Sequence, residues 1–360
     1  MLRIGKVQLD SRVLLAPVAG HCDLPFRLTV RECGPWPGLA FTDLLCPHGV
    51  LRQNRQTRRL MATTDADRPL GMQLYGRDPA LMGEAARWAI DSGAQTLDLN
   101  MGCPVDKVTK TFAGSMMLCI PDQAVELAER LVRTVAAHAS GRVPVTAKLR
   151  LGYHDGEQTA PELARRLVQA GVRCITIHGR TAALRFKGAV DLAGIARVAE
   201  AVHDAEAGVP CIGNGDIRTP FDAARMIQAT GCDGVMIARA ALQAPWLVRD
   251  THHYLEHGQL PAELTLRQRL AVVVGHFEHM LAHRQARWAM HRLKQKIGPY
   301  SRHLGPCKPM RAAIMAMRDP AELAGIVARF LSESGPAADA VPVTWADRAA
   351  IGAAPLPSAA

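Results

Sequence analysis

Residues 93–104 read Gly93-Ala94-Gln95-Thr96-Leu97-Asp98-Leu99-Asn100-Met101-Gly102-Cys103-Pro104. A glycine suited to the left-handed end of a helix leads into an apolar strand, and the strand ends in an amide followed by a thiol. Parallel α/β proteins build their active sites at the carboxyl ends of buried strands. This stretch therefore predicts a cysteine at the catalytic edge of a parallel sheet.

The same pattern recurs at residues 171–178 and 231–238. Helix starts precede two of the three copies, with an N-cap residue followed by proline at Asp78-Pro79 and Thr219-Pro220. With the other apolar runs, eight strands are predicted, at residues 13–17, 39–42, 70–74, 96–100, 145–149, 174–178, 211–214 and 234–237. Their spacing leaves room for one helix after each strand, so we predict an α/β fold, a (β/α)8 TIM barrel over residues 1–250.

The strand pattern stops after residue 250, and apolar residues then recur at helical spacing. We predict a smaller all-helical domain over residues 251–334 and a disordered tail over the Ala- and Pro-rich residues 335–360. Of the net charge of +10, nine units fall between His279 and Arg318, which contain nine Lys or Arg and no Asp or Glu. Such a field favours a polyanionic partner, although a solvated helix face would have the same composition.

Composition excludes several classes of protein. The nine cysteines include no Cys-x-x-Cys pair, which argues against a zinc site or a redox dithiol. The amino terminus lacks the apolar core of a signal peptide, and no run of about 18 apolar residues could span a membrane. We expect a reduced cytoplasmic protein with no metal and no membrane segment, for which oligomerisation is not required.

Residues that could take part in catalysis or binding lie at the carboxyl ends of the predicted strands. In chain order they are Pro17-Val18-Ala19, Gln73, Asn100 with Cys103, Lys148, His178 with Arg180, Asn214-Gly215-Asp216, and Ala238-Arg239. The last two groups follow strands seven and eight, where barrels commonly bind phosphate. A phosphorylated cofactor across the barrel mouth is therefore predicted, with Lys148 able to stabilise an anionic ring such as that of a reduced flavin.

Each of these residues taken alone has an ordinary structural explanation. Cys103 could be a buried packing residue, since cysteine often behaves as a small hydrophobe. Lys148 could pair with a carboxylate, and His178 could simply end a strand. Their recurrence at successive strand ends favours the functional interpretation.

Together the motifs resemble those of the tRNA-dihydrouridine synthases, flavin enzymes that reduce uridines in tRNA. The resemblance covers roughly residues 4–330 and includes Leu15-Ala-Pro-Val-Ala-Gly20, Asp98-Leu-Asn-Met-Gly-Cys-Pro-Val105, Lys148-Leu-Arg-Leu-Gly152, His178-Gly-Arg-Thr181 and Gly213-Asn-Gly-Asp-Ile217. It implies FMN as the cofactor and NADPH as the reductant. It also implies the residues that hold FMN, namely Pro17, Val18, Ala19, Gln73, Lys148, His178, Asn214, Gly215, Asp216, Ala238 and Arg239.

The resemblance further implies that Cys103 is the acid that protonates uracil C5 and that tRNA is the partner. Substrate contacts are expected from Asn100 and Arg180 at the barrel, and from Arg287, Lys294 and Lys296 on the helical domain. Two other interpretations stay open. One is an FMN TIM-barrel reductase of a small pyrimidine or enone, and the other is a non-catalytic RNA-binding protein.

Overall fold

The computed structural model of the protein describes residues 1–34 and 38–334. Within them ten strands form, β1 to β10 in chain order: Leu2–Ile4, Val7–Leu9, Val13–Leu15, Leu39–Phe41, Leu70–Leu74, Thr96–Met101, Val145–Arg150, Ile175–His178, Cys211–Asn214 and Gly234–Ile237. Strands β3 to β10 are parallel and close into a barrel in the order β10-β3-β4-β5-β6-β7-β8-β9. The predicted TIM barrel is confirmed, and no predicted strand end lies more than two residues from the observed one.

Helices follow the barrel strands and continue beyond them. In chain order α1 to α14 are Leu24–Glu32, Pro47–Leu51, Arg55–Met61, Pro79–Asp91, Asp106–Thr109, Pro121–Ala139, Ala160–Gln169, Leu192–Ala205, Pro220–Thr230, Leu247–His257, Leu266–His283, Ala286–Tyr300, Lys308–Ala316 and Glu322–Ser334. Local chemistry explains several helix ends. The Asp78 carboxylate accepts the first free N–H groups of α4, Thr219 and Asp222 form a reciprocal cap at α9, and Gly231 ends α9 in the left-handed conformation.

A short antiparallel hairpin, β1 with β2, covers the amino end of the barrel and was not predicted from the sequence. Its Leu2, Ile4 and Leu9 pack in one buried cluster with Leu14 and Leu39. Because Leu39 is the first residue of β4 and Leu14 the second of β3, this cluster lies where the strands begin. The candidate catalytic and binding residues lie at the opposite edge of the barrel, where the strands end.

The described chain divides into two compact units, the barrel unit of residues 1–23 and 38–238 and the helical unit of residues 24–34 and 239–334. These boundaries differ from the predicted ones, which assigned residues 1–250 to the barrel. Helix α1 is buried along its whole length and contacts α11, where the rings of Phe26 and His276 lie 5.7 Å apart. The predicted tail, residues 335–360, lies outside the described residues.

The helical unit has its own apolar core. Buried side chains from α11 to α14 form one cluster, which includes Phe277, Leu293, Tyr300, Ile314 and Phe330. The predicted helical character of this part of the chain is confirmed. Among the described residues no helix is both long and apolar enough to cross a lipid bilayer.

Candidate active site

Asn100 shapes the turn that carries Cys103. Its Oδ1 accepts the backbone N–H of Cys103 at 3.0 Å and that of Gly102 at 3.3 Å. On the far side of the loop, the N–H of Ser115 donates to the Cys103 carbonyl oxygen at 3.0 Å. Gly114, at φ +63°, passes so close that an added Cβ would lie 2.6 Å from that oxygen. The thiol-bearing residue is therefore held from both ends of its loop.

A chain of buried hydrogen bonds leads from Asn100 into the barrel. Asn100 Nδ2 donates to Gln73 Oε1 at 2.8 Å, and Gln73 Nε2 donates to Asp98 Oδ2 at 2.6 Å. Thr146 Oγ1 donates to the other oxygen of Asp98 at 2.6 Å. Gln73 and Thr146 donate to Asp98 directly and Asn100 donates to Gln73, so the carboxylate determines which way both amides face.

Burial raises the pKa of Asp98 to about 6, although hydrogen bonds from Gln73 and Thr146 and the charge of Lys148 oppose the rise. At neutral pH the side chain is therefore mostly a carboxylate, and it becomes protonated in mildly acidic solution. The orientation of the Asn100 amide, and with it the Cys103 turn, depends on this acceptor.

Lys148 places a cation beside the same strand. In the barrel register it lies opposite Asn100 on β6, and its Nζ donates to Asn214 Oδ1 at 2.9 Å. Asn214 is fixed in turn, because its Nδ2 donates to the carbonyl oxygen of Met236 at 2.7 Å. Burial, followed by the charge of Arg150, lowers the pKa of Lys148 to about 8, so the ammonium form still prevails at neutral pH.

Cys103 is partly exposed, and its thiol is the protonated species at neutral pH. Burial raises its pKa, against the opposing effects of the Val105 backbone and of the Arg150 and Lys148 charges. Tyr75 is a neighbour of Cys46 and Cys103. Burial, followed by these two cysteines, raises the pKa of the Tyr75 phenol to about 12. The site can thus store a proton on sulfur next to two cations.

Arg150 is a buried structural cation that the sequence interpretation did not single out. Its Nε donates to the carbonyl oxygen of Gly102 at 2.8 Å, and its Nη1 donates to those of Thr181 at 2.9 Å and Arg185 at 2.7 Å. Its guanidinium carbon also lies 5.5 Å from the ring centre of Phe186, an exposed aromatic residue. One side chain thereby ties the Cys103 turn to the loop after β8.

Arg180, predicted as a substrate contact, is 2% exposed and is engaged by its own loop. Its guanidinium donates to the carbonyl oxygens of Lys187 at 3.0 Å and Gly188 at 2.6 Å and forms an ion pair with Asp216. The Nε2 atom of His178 lies 3.4 Å from Arg180 Nη1. The structure therefore joins His178, Arg180 and Asp216 in one cluster whose observed contacts hold two loops together.

Three loops at this edge can receive an anionic cofactor, which supports the predicted phosphate site. The backbone N–H groups of Ala19, Gly215 and Ala238 have no acceptor within residues 1–34 and 38–334. Gly215 has φ +125°, and a Cβ there would lie 2.9 Å from the His178 ring. Amide donors and a glycine without a side chain are the features that backbone phosphate binding needs.

The remaining predicted cofactor residues have less direct support. Pro17 and Val18 are partly exposed, and the N–H of Val18 donates to the Cys22 sulfur at 3.0 Å. Arg239 is exposed and is the first residue of the helical unit. By contrast, Gln73, Asn100, Lys148, His178 and Asn214 lie on neighbouring strands of the barrel, as the sequence predicts.

The predicted basic residues of the helical unit fall into different environments. Arg287 is exposed, as is His291 one turn later. Lys294 is partly buried, and its Nζ donates to the carbonyl oxygen of Met317 at 2.7 Å. Lys296 is 4% exposed, with its Nζ 4.9 Å from the ring centre of Phe26. Burial on the packed face of α12 argues against the predicted contact of Lys296 with tRNA, which stays a prediction for experiment.

Asp98, Thr146 and Arg150 are the site residues that sequence reasoning missed. Each carried a readable signal, since a charged or hydroxyl residue stands in an otherwise apolar strand in Leu97-Asp98-Leu99 and Val145-Thr146-Ala147-Lys148-Leu149-Arg150. A buried polar residue requires a partner, and neighbouring strands supply it.

Among the described residues no group of three His, Cys, Asp or Glu side chains is arranged to hold a metal ion.

Comparison with known proteins decides the family. The family model described as dihydrouridine synthase (Dus) matches residues 14–334. The chain belongs to the dihydrouridine synthase family. The match spans the barrel strands from their first member, the Cys103 turn and the helices up to the end of α14.

Two relatives within the dihydrouridine synthase family illustrate the similarity. The probable tRNA-dihydrouridine synthase of Rickettsia conorii is 32% identical over 331 residues, which are 92% of this chain and 96% of that protein. The tRNA-dihydrouridine synthase B of Escherichia coli strain K12 is 35% identical over 279 residues, which are 78% of this chain and 83% of that protein.

Among solved structures, histamine dehydrogenase from Rhizobium sp. 4-9 aligns with a TM-score of 0.52 at 14% identity. The aligned part is 77% of this chain, which spans half the length of that dehydrogenase. At this identity the likeness concerns the fold of the barrel alone.

Proposed function

We propose that this chain is a tRNA-dihydrouridine synthase, which adds hydrogen across the C5=C6 bond of specific uridines in tRNA. The proposal is carried by one observation, the thiol of Cys103 held at the carboxyl edge of the barrel by Asn100, within the field of Lys148. Membership of the family and the names of its relatives support the same reaction.

The cofactor that the site suits is FMN. We assign its phosphate to the loops after β9 and β10, where Gly215 and Ala238 offer backbone donors and Arg239 a charge. We assign its ring system to the neighbourhood of Gln73, Lys148 and Asn214. When bound in reduced form, the flavin supplies the hydride for uracil C6.

Cys103 acts as the general acid in this proposal. Hydride addition at C6 of uracil leaves negative charge at C5, which is conjugated with the C4 carbonyl, and C5 then takes a proton. Because burial raises the pKa of Cys103, its thiol carries that proton throughout the physiological range. The bond from the Cys103 N–H to Asn100 fixes where the proton is delivered.

Lys148 supports the reaction electrostatically. Its pKa of about 8 leaves it mostly cationic at neutral pH, in a buried position where a charge acts strongly. A cation there favours anionic forms of a ring lying across the mouth. Asn214 keeps the ammonium in place through its 2.9 Å hydrogen bond.

The macromolecular substrate is tRNA, and NADPH is the reductant that we propose. A target uridine must leave its stack to enter a barrel mouth, so the enzyme has to hold the surrounding RNA. The exposed Arg287, together with the exposed Lys308 and Arg311 further along the helical unit, suits phosphate contacts that do not depend on sequence. A tRNA substrate and free cysteines agree with the cytoplasmic location that we propose.

A pair of cysteine variants tests the assignment. We expect Cys103→Ala to retain bound flavin and NADPH oxidation but to lose at least about 100-fold in dihydrouridine formation, the effect of removing a general acid. The matched control is Cys119→Ala, which removes an exposed thiol in the same long loop and should behave as wild type. Undiminished product from Cys103→Ala would reject Cys103 as the proton donor.

A further inference from the structure

Phe112 is an aromatic residue exposed in the loop that carries Cys103. It is 45% exposed, and its backbone is in the left-handed region at φ +55°. Bulky side chains rarely occupy this region, and such outliers concentrate where function requires them. The conformation turns a large apolar ring toward solvent, where it gains nothing from the protein core.

Arg77, from the loop after β5, covers the Phe112 ring. Its guanidinium carbon lies 5.0 Å from the ring centre. With the planar cation over one face, the exposed surface of the ring lies on the remaining face and edge. An aromatic ring and a guanidinium plane are the two groups on which proteins stack unpaired RNA bases.

Phe112 lies close to the Cys103 turn. Phe112 lies three residues before Ser115, whose N–H donates to the Cys103 carbonyl oxygen at 3.0 Å. Three residues reach at most about 11 Å, so the ring stays close to the Cys103 turn. Anything stacked on Phe112 is thereby positioned within reach of the nucleotide at the thiol.

The surroundings of Phe112 favour an anionic chain. Lys107 and Lys110 are exposed in the same loop. The carboxylate of Asp106 lies 3.3 Å from Arg185 Nη2, and Asp78 accepts N–H groups at the start of α4. The Asp106 and Asp78 carboxylates are thus engaged by the protein, while Lys107 and Lys110 are exposed and available to phosphates.

We propose that Phe112 and Arg77 form a stacking site for an unpaired base that neighbours the target uridine in the tRNA. The inference rests on the proposed function and adds to it a second recognised nucleotide. The stacked base holds the RNA in register while the target occupies the barrel mouth. Stacking also favours the opened form of the RNA, because a base that leaves its neighbours finds a new planar partner.

Steady-state kinetics of the holoenzyme with unmodified tRNA test the site. We expect Phe112→Leu to raise the KM for tRNA about tenfold, the typical effect of losing one stacked base, with flavin content and NADPH oxidation without tRNA unchanged. Phe112→Trp keeps an aromatic face and should stay close to wild type. Trp88→Leu is the matched control, since Trp88 is 43% exposed on the last turn of α4, at the opposite edge of the barrel.

Several outcomes would overturn the stacking site. A wild-type KM in Phe112→Leu would do so, as would an equal loss in Phe112→Trp, which would indicate loop shape instead of stacking. An equal loss in Trp88→Leu would indicate unspecific attraction between RNA and aromatic side chains. If the wild-type holoenzyme forms no dihydrouridine in tRNA, the proposed function fails and the stacking site falls with it. An active wild type with an unaffected Phe112→Leu variant rejects the stacking site alone.

Discussion

Replacing Asp98 by Asn should change how the stability of the protein depends on pH. The folded-state pKa of Asp98 is about 6, against an ordinary value of 3.8. The folded protein therefore binds this proton more tightly than the unfolded chain does. The stabilisation is complete below pH 3.8 and is lost as the pH rises through about 6.

The size of the effect follows from these two pKa values. Linkage gives on the order of 1 kcal/mol more stability for the wild type at pH 5 than at pH 7.5 from this group alone. Asp98→Asn cannot titrate, so its stability relative to wild type should fall by about 1 kcal/mol on acidification over the same range. Titrating groups that do not interact with Asp98 occur in both proteins and cancel in the difference, whereas Lys148, whose pKa the Asp98 charge raises, is a coupled partner of the substituted group.

Urea unfolding of both proteins at the two pH values, followed by circular dichroism, measures the difference. Asp65→Asn serves as the control, because the Asp65 side chain is 89% exposed. Its stability relative to wild type should show no comparable pH dependence. A difference between wild type and Asp98→Asn that stays constant from pH 5 to pH 7.5 would refute the buried, proton-binding carboxylate. If Asp98→Asn instead gained stability relative to wild type on acidification, the folded protein would stabilise Asp98 as an anion.

Three further variants address the cofactor loop and the helical unit. Gly215→Ala should lower flavin content severalfold at equal protein yield, because the added Cβ would lie 2.9 Å from the His178 ring at a φ of +125°. Visible absorbance of the purified protein measures the flavin content. Full flavin content in the variant would contradict the prediction. Arg287→Gln should weaken tRNA binding and reduce its salt dependence, whereas Lys296→Met should leave both unchanged because Lys296 is buried. Filter binding at several salt concentrations measures both properties. Weaker binding by Lys296→Met with unchanged binding by Arg287→Gln would identify Lys296 as the RNA contact.

The barrel was predictable because its strands are short apolar runs with polar ends, repeated at helix-sized intervals. The strands at 70–74 and 234–237 were predicted with their observed bounds. The hairpin of β1 and β2 was not, because these three-residue strands follow each other after a two-residue turn and lack the helix-sized interval that marks the barrel strands. The hairpin is stabilised by the apolar cluster that its Leu2, Ile4 and Leu9 form with Leu14 and Leu39 at the amino end of the barrel, and Leu39 is distant from the hairpin in sequence.

The chemical residues were predictable one by one, but their connections were not. Sequence identified Gln73, Asn100 and Cys103 as strand-end residues, while the hydrogen bonds that join them to Asp98 depend on the register of β5 with β6. The helix phase of α12 shows the same limit. The sequence predicted Lys296 as a tRNA contact, whereas packing buries Lys296 together with Ala289 and places the Lys296 ammonium over the Phe26 ring.

The most direct measurement is the conversion of uridine in unmodified tRNA by the purified, flavin-loaded protein with NADPH, analysed by mass spectrometry of the digested RNA. We predict that specific uridines gain two hydrogen atoms and that NADPH is consumed in equal amount. A protein that takes up no flavin, or that oxidises NADPH without any gain of hydrogen on tRNA, would contradict the account.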